Sequence, residues 1–194
     1  MTDSHSIPRL FLVAPEGDPA HLAACLKAAC AAGDVASLLV PFSRAKALTA
    51  VAQALDVAVV TTGEPRDAFH AGCDGLQADT ETADIAALRA GLGKSNILGV
   101  YCAASRHQAM EAAEAGADYV ALDQKGASVG GEPIVKWCAE FLAIPCVAMT
   151  PVDLADLDTL LPQKPDFIRP SDAMWTSPED ATRIVKDLMQ RLTA

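Results

Sequence analysis

The sequence predicts an α/β fold, a compact (β/α)8 barrel of the TIM type, on three observations. Eight short runs rich in leucine or β-branched residues alternate with alanine-rich stretches of helical periodicity. The starts of these runs are roughly 17 to 27 residues apart, which leaves room for one helix and two short turns and favours parallel strands. A glycine-aspartate motif recurs where helical stretches end. With 194 residues the chain is expected to form one domain, residues 1–194, with a full core.

Each predicted strand is a short apolar run. The strands are predicted at Leu10–Ala14, Val35–Val40, Val57–Thr61, Asp74–Gln77, Ile97–Tyr101, Asp118–Leu122, Pro145–Met149 and Asp166–Arg169. The same alternation describes a doubly wound open sheet, which is the alternative fold. The first strand is followed by Ala14-Pro15-Glu16-Gly17 instead of G-x-G-x-x-G, and this favours the barrel.

Apolar residues recur at helical spacing between the strands, so the helices are predicted to pack outside the barrel. The first and last helices show this best, with the apolar faces Leu22, Leu26, Ala29, Cys30 and Ile184, Val185, Leu188, Met189, Leu192. The segment Ser177-Pro178-Glu179-Asp180 supplies an N-cap, a proline in the first turn and early acids, and it predicts where the last helix begins.

An internal repeat marks three junctions between a helix and a strand. The segments are Ala32-Gly33-Asp34-Val35, Ala71-Gly72-Cys73-Asp74-Gly75-Leu76 and Ala115-Gly116-Ala117-Asp118-Tyr119-Val120. Glycine can close a helix in the left-handed conformation, and the aspartate is predicted at the exposed start of the next strand.

Charge and hydropathy exclude several classes of partner. The 15 Lys+Arg against 25 Asp+Glu give a net charge of −10, which argues against nucleic acids and anionic membranes and favours a small ligand. No apolar run approaches the roughly 18 residues that a membrane span needs. Residues 1–8 lack the basic and apolar parts of a signal peptide, so a cytoplasmic protein is expected. The acidic exterior leaves a monomer and a homodimer both open.

The six cysteines are scattered and form no C-x-x-C pair. This pattern predicts small buried side chains in a reducing compartment instead of disulfides or a zinc site. Cys102 follows a strand and is the one thiol worth testing as a nucleophile. The histidines form no metal-binding pattern, and Trp175 is the tryptophan expected nearer to a ligand.

In a (β/α)8 barrel the function belongs to the loops after the strands. The glycine-rich segment Asp123–Gly131 could fold over an anion with Lys125, or it could be a solvent loop. The ends of the last two strands are the usual phosphate site of such barrels, and here they offer Thr150, Ser171 and Asp172. Ser171 or Asp172 could instead cap a short helix over Pro170–Trp175.

Acidic residues after the fourth strand are the candidate metal ligands. Asp79 and Glu81, with Asp84 nearby, could bind Mg²⁺ beside a diphosphate. The alternative is a loop and a helix start capped by Thr82 or Asp84.

Several segments resemble thiamine phosphate synthases and the related thiazole tautomerases, which are (β/α)8 barrels. Ala71-Gly72-Cys73-Asp74-Gly75-Leu76-Gln77 is similar to the family's A-G-A-D-G-V-H, Leu98-Gly99-Val100 to its I-G-V, and Glu114–Val120 to its E-A-G-A-D-Y-V. Ser171–Trp175 followed by Pro178 is similar to the family's closing segment. The resemblance runs from Leu10 to Leu192. It implies a phosphorylated heterocycle as ligand. The residues predicted to contact that ligand are Thr62, Gln77, Lys125, Thr150, Ser171 and Asp172.

The departures from the family fall on groups that the resemblance assigns to catalysis. That family joins a thiazole phosphate to a pyrimidine diphosphate with Mg²⁺ and releases pyrophosphate, which requires cations on the leaving group. Here the basic end of strand two becomes Leu38–Phe42, the N-D after strand three becomes Thr61-Thr62, and Tyr101 replaces the serine after I-G-V. The long T-x-T-K loop shrinks to Asp123–Gly131, and I-G-G-I becomes Ala148–Pro151. Asp79 is displaced from the family's metal-binding acid.

These departures predict a divergent member of the family that binds a phosphorylated thiazole or pyrimidine, with weak transferase activity or none. A ligand sensor or partner-binding protein without turnover is the first alternative. A tautomerase or isomerase is the second, and it would need a histidine at the rim, where no predicted strand ends in one.

Overall fold

The computed structural model describes residues 7–81, 83–125, 128–129 and 131–194. The barrel strands are β1 (Arg9–Val13), β2 (Val35–Val40), β3 (Ala58–Thr61), β4 (Gly75–Asp79), β5 (Ile97–Tyr101), β6 (Tyr119–Leu122), β9 (Cys146–Val152) and β10 (Phe167–Pro170), while β7 (Ser128–Val129) and β8 (Glu132–Pro133) form a small hairpin. The helices are α1 (Pro19–Ala32), α2 (Phe42–Gln53), α3 (Pro65–Ala71), α4 (Ile85–Leu92), α5 (Arg106–Glu114), α6 (Ile134–Phe141), α7 (Leu157–Leu160) and α8 (Pro178–Leu192). Short 3-10 helices cover Leu154–Asp156, Leu161–Gln163 and Asp172–Trp175.

The eight strands close into a barrel in the order β1-β10-β9-β6-β5-β4-β3-β2, and every neighbouring pair is parallel. The predicted (β/α)8 fold is therefore confirmed, and the open sheet is excluded because β1 pairs with both β2 and β10. Most predicted boundaries are within one or two residues of the observed ones. The exception is β9, which continues through Thr150 and Pro151 to Val152 where a loop was expected.

Two layers of apolar side chains hold the barrel together. The larger layer lies between strands and helices and includes the predicted faces of α1 and α8, with Leu22, Leu26, Val185 and Leu188 buried. The smaller layer fills the barrel interior. Its buried members are Phe11, Leu39, Val60, Tyr119, Ala121, Val147 and Met149.

The aspartates of the repeat stabilise the strand starts at the amino-terminal face. Asp74 Oδ2 accepts a hydrogen bond from the Val59 amide at 2.7 Å, and Asp118 Oδ2 accepts one from the Leu98 amide at 2.8 Å. Each aspartate therefore satisfies a backbone donor of the preceding strand. The repeat is a structural device at the face opposite to the expected ligand site.

The prediction for the glycines of the repeat is right at two positions and wrong at the third. Gly72 (φ +73°) and Gly116 (φ +93°) are in the left-handed region, as expected. Gly33 caps α1 with extended backbone at φ −169°. A Cβ at Gly33 would lie 2.4 Å from Met189 Cγ, so the missing side chain here allows α1 and α8 to approach closely.

The cysteines and the start of α8 agree with the predictions made from the sequence. All six cysteines are free, and five of them are buried. Ser177 caps α8 by accepting a hydrogen bond from the Asp180 amide, and Pro178 occupies its first turn, as predicted. Within the described ranges, no helix has the length and apolar character that crossing a membrane requires.

Candidate functional site

A cavity of about 840 Å³ opens at the carboxyl ends of β3, β4 and β5 and extends between α3 and α4. This is the end of the barrel where such folds bind ligands. Its lining residues are Thr62, Gly63, Glu64, Pro65, Gln77, Ala78, Asp79, Ala83, Asp84, Ala87, Leu88, Gly91 and Tyr101. No lysine or arginine is among them. The lining comes from one side of the barrel only.

The alternation of β4 places the polar groups in this cavity. Leu76 and Ala78 belong to the layer under the helices, so Gln77 and Asp79 face the barrel interior and its mouth. Tyr101 ends β5 and pairs in register with Asp79. The cavity thus receives an amide, a carboxylate and a phenol from two adjacent strands.

The Gln77 side chain is held in place by a hydrogen bond from a side chain inside the barrel. Tyr119 Oη donates a hydrogen bond to Gln77 Oε1 at 2.9 Å. The Tyr119 ring lies against Gly99 of β5, where an added Cβ would come within 1.9 Å of Tyr119 Cζ. The absence of a side chain at Gly99 therefore allows the ring to cross the barrel and fix the Gln77 amide.

Asp79 presents one carboxylate oxygen to the cavity. Its Oδ1 accepts a hydrogen bond from the Glu81 amide at 2.9 Å. Its Oδ2 has no hydrogen-bond or ion-pair partner in the described part of the chain. Asp84, a further acid of this segment, caps α4 by accepting a hydrogen bond from the Ala87 amide, as the capping alternative predicted. The second candidate cap, Thr82, lies outside the described residues.

A second set of polar groups crosses the mouth from β5 to β9. Tyr101 Oη donates to Asp123 Oδ2 at 2.5 Å, and Thr150 Oγ1 contacts Asp123 Oδ1 at 3.5 Å. Gln124 Nε2 donates to the Thr150 carbonyl at 2.7 Å, while the Thr150 amide donates to Gln124 Oε1 at 2.9 Å. We call these four residues the rim network. The side chain of Gln124 thereby pairs with β9 beyond the end of β6.

The predicted site residues fall into separate groups. The cavity brings together Thr62, Gln77 and Asp79. Thr150 belongs to the rim network, and the Ser171 amide donates to the Val152 carbonyl at 3.0 Å. The short helix over Asp172–Trp175 is present as predicted, although Ser171 makes no side-chain capping bond. Gly126, Ala127 and Gly130 of the predicted glycine-rich loop lie outside the described residues.

Three cations in or shortly after barrel strands are each paired with a carboxylate. The pairs are Arg44 with Glu16 at 3.3 Å, Lys125 with Asp156 at 3.2 Å, and Arg169 with Asp172 at 2.7 Å. The ion pair between Lys125 and Asp156 connects the segment after β6 to the 3-10 helix after β9. Each carboxylate offsets the charge of its cation, so these side chains offer little net positive charge to an anion.

Cys102, the thiol considered as a nucleophile, has an environment unsuited to that work. Cys102 is fully buried, and burial raises the pKa of its thiol to about 12, which removes the reactive thiolate at neutral pH. His21, at the start of α1, is the histidine brought next to the segment after β10. Its Nε2 lies 2.8 Å from the Trp175 carbonyl oxygen.

The rim network was not predicted as a unit. Asp123 and Gln124 directly follow a predicted strand, and Tyr101 ends one, so their positions at the rim could be read from the sequence. Their mutual pairing could not, because it joins side chains from different strands.

The Tyr101–Asp123 hydrogen bond makes a prediction for alkaline titration. This bond, helped by burial, raises the pKa of Tyr101 to about 12, and burial raises the pKa of Tyr119, which is the only other tyrosine. We expect no tyrosinate absorbance at 295 nm near pH 10 in the folded protein. Because the folded pKa of Tyr101 exceeds the unfolded value of about 10, its contribution to stability is complete below pH 10 and decreases as the pH rises toward 12.

Removing the acceptor should change this titration. In Asp123→Ala, Tyr101 should ionise closer to pH 10, whereas Asp79→Ala, which removes only a weaker charge interaction, should shift the curve less. A Tyr101 titration unchanged by Asp123→Ala would contradict the hydrogen bond.

Comparison with known proteins identifies the family. A family model described as thiamine monophosphate synthase matches residues 10–169, which run from β1 into β10. The chain belongs to the thiamine monophosphate synthase family. The resemblance seen in the glycine-aspartate segments is thus confirmed.

Individual members of the family match over most of their length. The chain is 33% identical over 196 residues to a thiamine-phosphate synthase of Rhodospirillum centenum, covering 92% of this chain and 95% of that protein. It is 34% identical over 146 residues to a thiamine-phosphate synthase of Erythrobacter litoralis, covering 71% and 68%.

Solved structures agree with the barrel. The thiamine phosphate pyrophosphorylase of Pyrococcus furiosus is similar with a TM-score of 0.77 and 17% identity, and the match covers 95% of each chain. A 3-hexulose-6-phosphate synthase of Salmonella typhimurium is similar with a TM-score of 0.72 and 13% identity, covering 95% and 98%. At these identities the structures support the fold alone.

Proposed function

We propose that this family member acts in thiamine biosynthesis by binding a phosphorylated thiazole or pyrimidine at its barrel mouth and coupling the two slowly. The cavity beside Gln77 and Asp79 carries the proposal, because it lies at the functional end of a barrel whose family makes thiamine phosphate. A volume of about 840 Å³ exceeds that of a single small heterocycle.

Coupling requires the pyrimidine-diphosphate bond to break while the thiazole nitrogen bonds to the released carbon and pyrophosphate departs. Negative charge develops on the leaving diphosphate, and cations aimed at that charge lower the barrier. Arg44, Lys125 and Arg169 would have to leave their carboxylate partners to do this. We therefore expect slow turnover relative to an enzyme with unpaired cations.

The residues that face the cavity fit Mg²⁺ only if it arrives with diphosphate. Asp79 can offer the oxygen Oδ2, and among the described residues no group of three histidine, cysteine or acidic side chains could hold a metal. Mg²⁺ is often bound by one or two carboxylates together with substrate phosphates and water. When bound, such an ion would neutralise charge on the leaving group. In the proposed site Asp79 would hold the ion together with oxygens of the substrate phosphates and of water.

Thiazole phosphate binding would use the groups at the last two strands and the loop before them. Thr150, Ser171 and Lys125 offer hydroxyl and ammonium donors. Asp172 faces Arg169, so the carboxylate that would repel phosphate is already paired. Thr62 and Gln77 are proposed to contact the ring that occupies the cavity.

The ion pairs also favour a second candidate, a protein that binds these ligands without turnover. The paired cations weaken catalysis more than binding, because a ground-state phosphate needs less charge than a departing diphosphate. No observation favours a tautomerase.

The test combines turnover and binding. The protein is incubated with the pyrimidine diphosphate, thiazole phosphate and Mg²⁺, and pyrophosphate release is measured, while calorimetry measures the affinity for each ligand alone. We expect measurable release that Asp79→Asn reduces at least about tenfold and that Asp187→Asn, on the outer helix α8, leaves unchanged. Binding without release selects the second candidate. Failure to bind either ligand would show the proposed function to be wrong.

A further inference from the structure

Tyr101 occupies the boundary between the cavity and the rim network. It lines the cavity with residues of β3, β4, α3 and α4, and its hydroxyl is bound to Asp123 after β6. No described residue of β6, β9 or β10 lines the cavity. The cavity therefore ends at the Tyr101 side chain, and Thr150 and Ser171 lie beyond it.

We propose that Tyr101, held by Asp123, is a specificity-determining residue that separates the cavity from the β6, β9 and β10 part of the mouth. This inference rests on the proposed function. One ligand ring can occupy the cavity and a phosphate-bearing group can occupy the far rim, but the two come into contact only when the Tyr101 ring moves aside, which slows their coupling.

Two contacts fix the ring. Its hydroxyl donates to a carboxylate at 2.5 Å, a charge-assisted hydrogen bond of the strong kind. Its body packs against the interior layer of the barrel that contains Tyr119 and Val147. Rotation of the ring would break the bond and expose apolar surface.

The acceptor is itself fixed by the rest of the rim network. Asp123 Oδ1 is next to the Thr150 hydroxyl, and Gln124 binds both the amide and the carbonyl of Thr150. The network therefore connects the ends of β5, β6 and β9. The Tyr101 side chain, at the end of β5, is therefore held in place by residues that follow β6 and lie in β9.

The consequence is greatest for ligands that span both regions. In the coupled product, thiamine phosphate, one carbon joins the pyrimidine to the thiazole, so the two rings need continuous space. Thiazole phosphate alone needs only one region. Tyr101 should therefore weaken binding of the joined rings, and hence the transition state that joins them, more than binding of either ring.

The test compares Tyr101→Ser, which removes the ring, with the matched variant Tyr101→Phe, which keeps the ring and loses only the hydroxyl. Calorimetry measures binding of thiamine phosphate and of thiazole phosphate to each folded protein. We expect Tyr101→Ser to bind thiamine phosphate at least about tenfold more tightly than wild type, with Tyr101→Phe and all thiazole phosphate affinities within about threefold. Pyrophosphate release, where present, should increase in Tyr101→Ser in parallel.

An unchanged thiamine phosphate affinity in folded Tyr101→Ser would overturn the inference, as would an equal increase in Tyr101→Phe. If Tyr101→Ser does not fold, Tyr101→Val, which also removes the ring and suits a β-strand, should tighten thiamine phosphate binding by a similar factor, and an unchanged affinity there would overturn the inference as well. If the wild type binds thiazole phosphate but no variant binds thiamine phosphate more tightly, this inference is refuted and the proposed function stands. Wild type and variants that bind neither thiamine phosphate nor thiazole phosphate refute this inference, and the proposed function is refuted as well if they also fail to bind the pyrimidine diphosphate.

Discussion

Gly75→Ala is expected to destabilise the barrel by about 3 kcal/mol or more, because it overpacks a backbone contact. Gly75 begins β4 and is paired with Val60 on one side and Ile97 on the other. A Cβ at this position would lie 2.0 Å from the Ile97 carbonyl oxygen and 2.6 Å from Ile97 Cβ. The clash is with the backbone of the adjacent strand, so no side-chain rotation can relieve it. Equilibrium unfolding in urea measures the loss.

Gly91→Ala is the matched control. Gly91 lies inside α4, and the nearest atoms to an added Cβ are Pro65 Cγ at 3.6 Å and Pro65 Cβ at 3.9 Å. The methyl group fits, and alanine favours the helix over glycine, so stability should rise by up to about 1 kcal/mol. A loss below about 1 kcal/mol in Gly75→Ala would show that β4 and β5 can separate without cost to the closed barrel.

Arg89→Ala is expected to cost about 2–4 kcal/mol, since it removes four hydrogen bonds that one largely buried guanidinium makes to three carbonyls and a carboxylate. The Arg89 side chain is only 17% exposed. Its guanidinium donates to the carbonyls of Gly116 and Gly93 at 2.8 Å, to that of Asn96 at 2.9 Å, and to Asp118 Oδ2 at 2.5 Å. One side chain thus joins the end of α4, the approach to β5 and the turn before β6.

A second arginine-aspartate pair provides the comparison for this prediction. Arg183 pairs with Asp180 on the first turns of α8, but its side chain is 60% exposed. Exposed pairs contribute little, so Arg183→Ala should change the free energy of unfolding by about 0.5 kcal/mol or less. Equal losses in the two variants would mean that Arg89 acts only as a surface ion pair and that its carbonyl contacts are unimportant.

The elements of this barrel could be predicted because they depend on local sequence. Val35–Val40 and Ile97–Tyr101 were predicted with the bounds that the structure shows. Ser177-Pro178 marked the start of α8 for a local reason too, since capping involves residues a few positions apart. The extension of β9 to Val152 was missed because Pro151 indicates a turn, whereas the structure tolerates it near the end of the strand.

The candidate site was only partly predictable. Thr62 follows β3, and Gln77 and Asp79 lie in the adjacent strand β4, so closure of the barrel places all three around one cavity. Two of the cations are paired with partners distant in the chain, Lys125 with Asp156 and Arg44 with Glu16. A basic residue at a strand end predicts an anion site only when no carboxylate of the protein is already paired with it.

Periodicity, helix caps and the repeated glycine-aspartate segments therefore specified an eight-stranded α/β barrel and its family, because these signals come from neighbouring residues whose spacing fixes strand and helix. Only the tertiary structure shows that the Tyr101 hydroxyl is bonded to Asp123 and that the cavity ends at the Tyr101 side chain. Those contacts depend on strand register and side-chain direction in the closed barrel, where a displacement of a few ångströms would separate donor from acceptor.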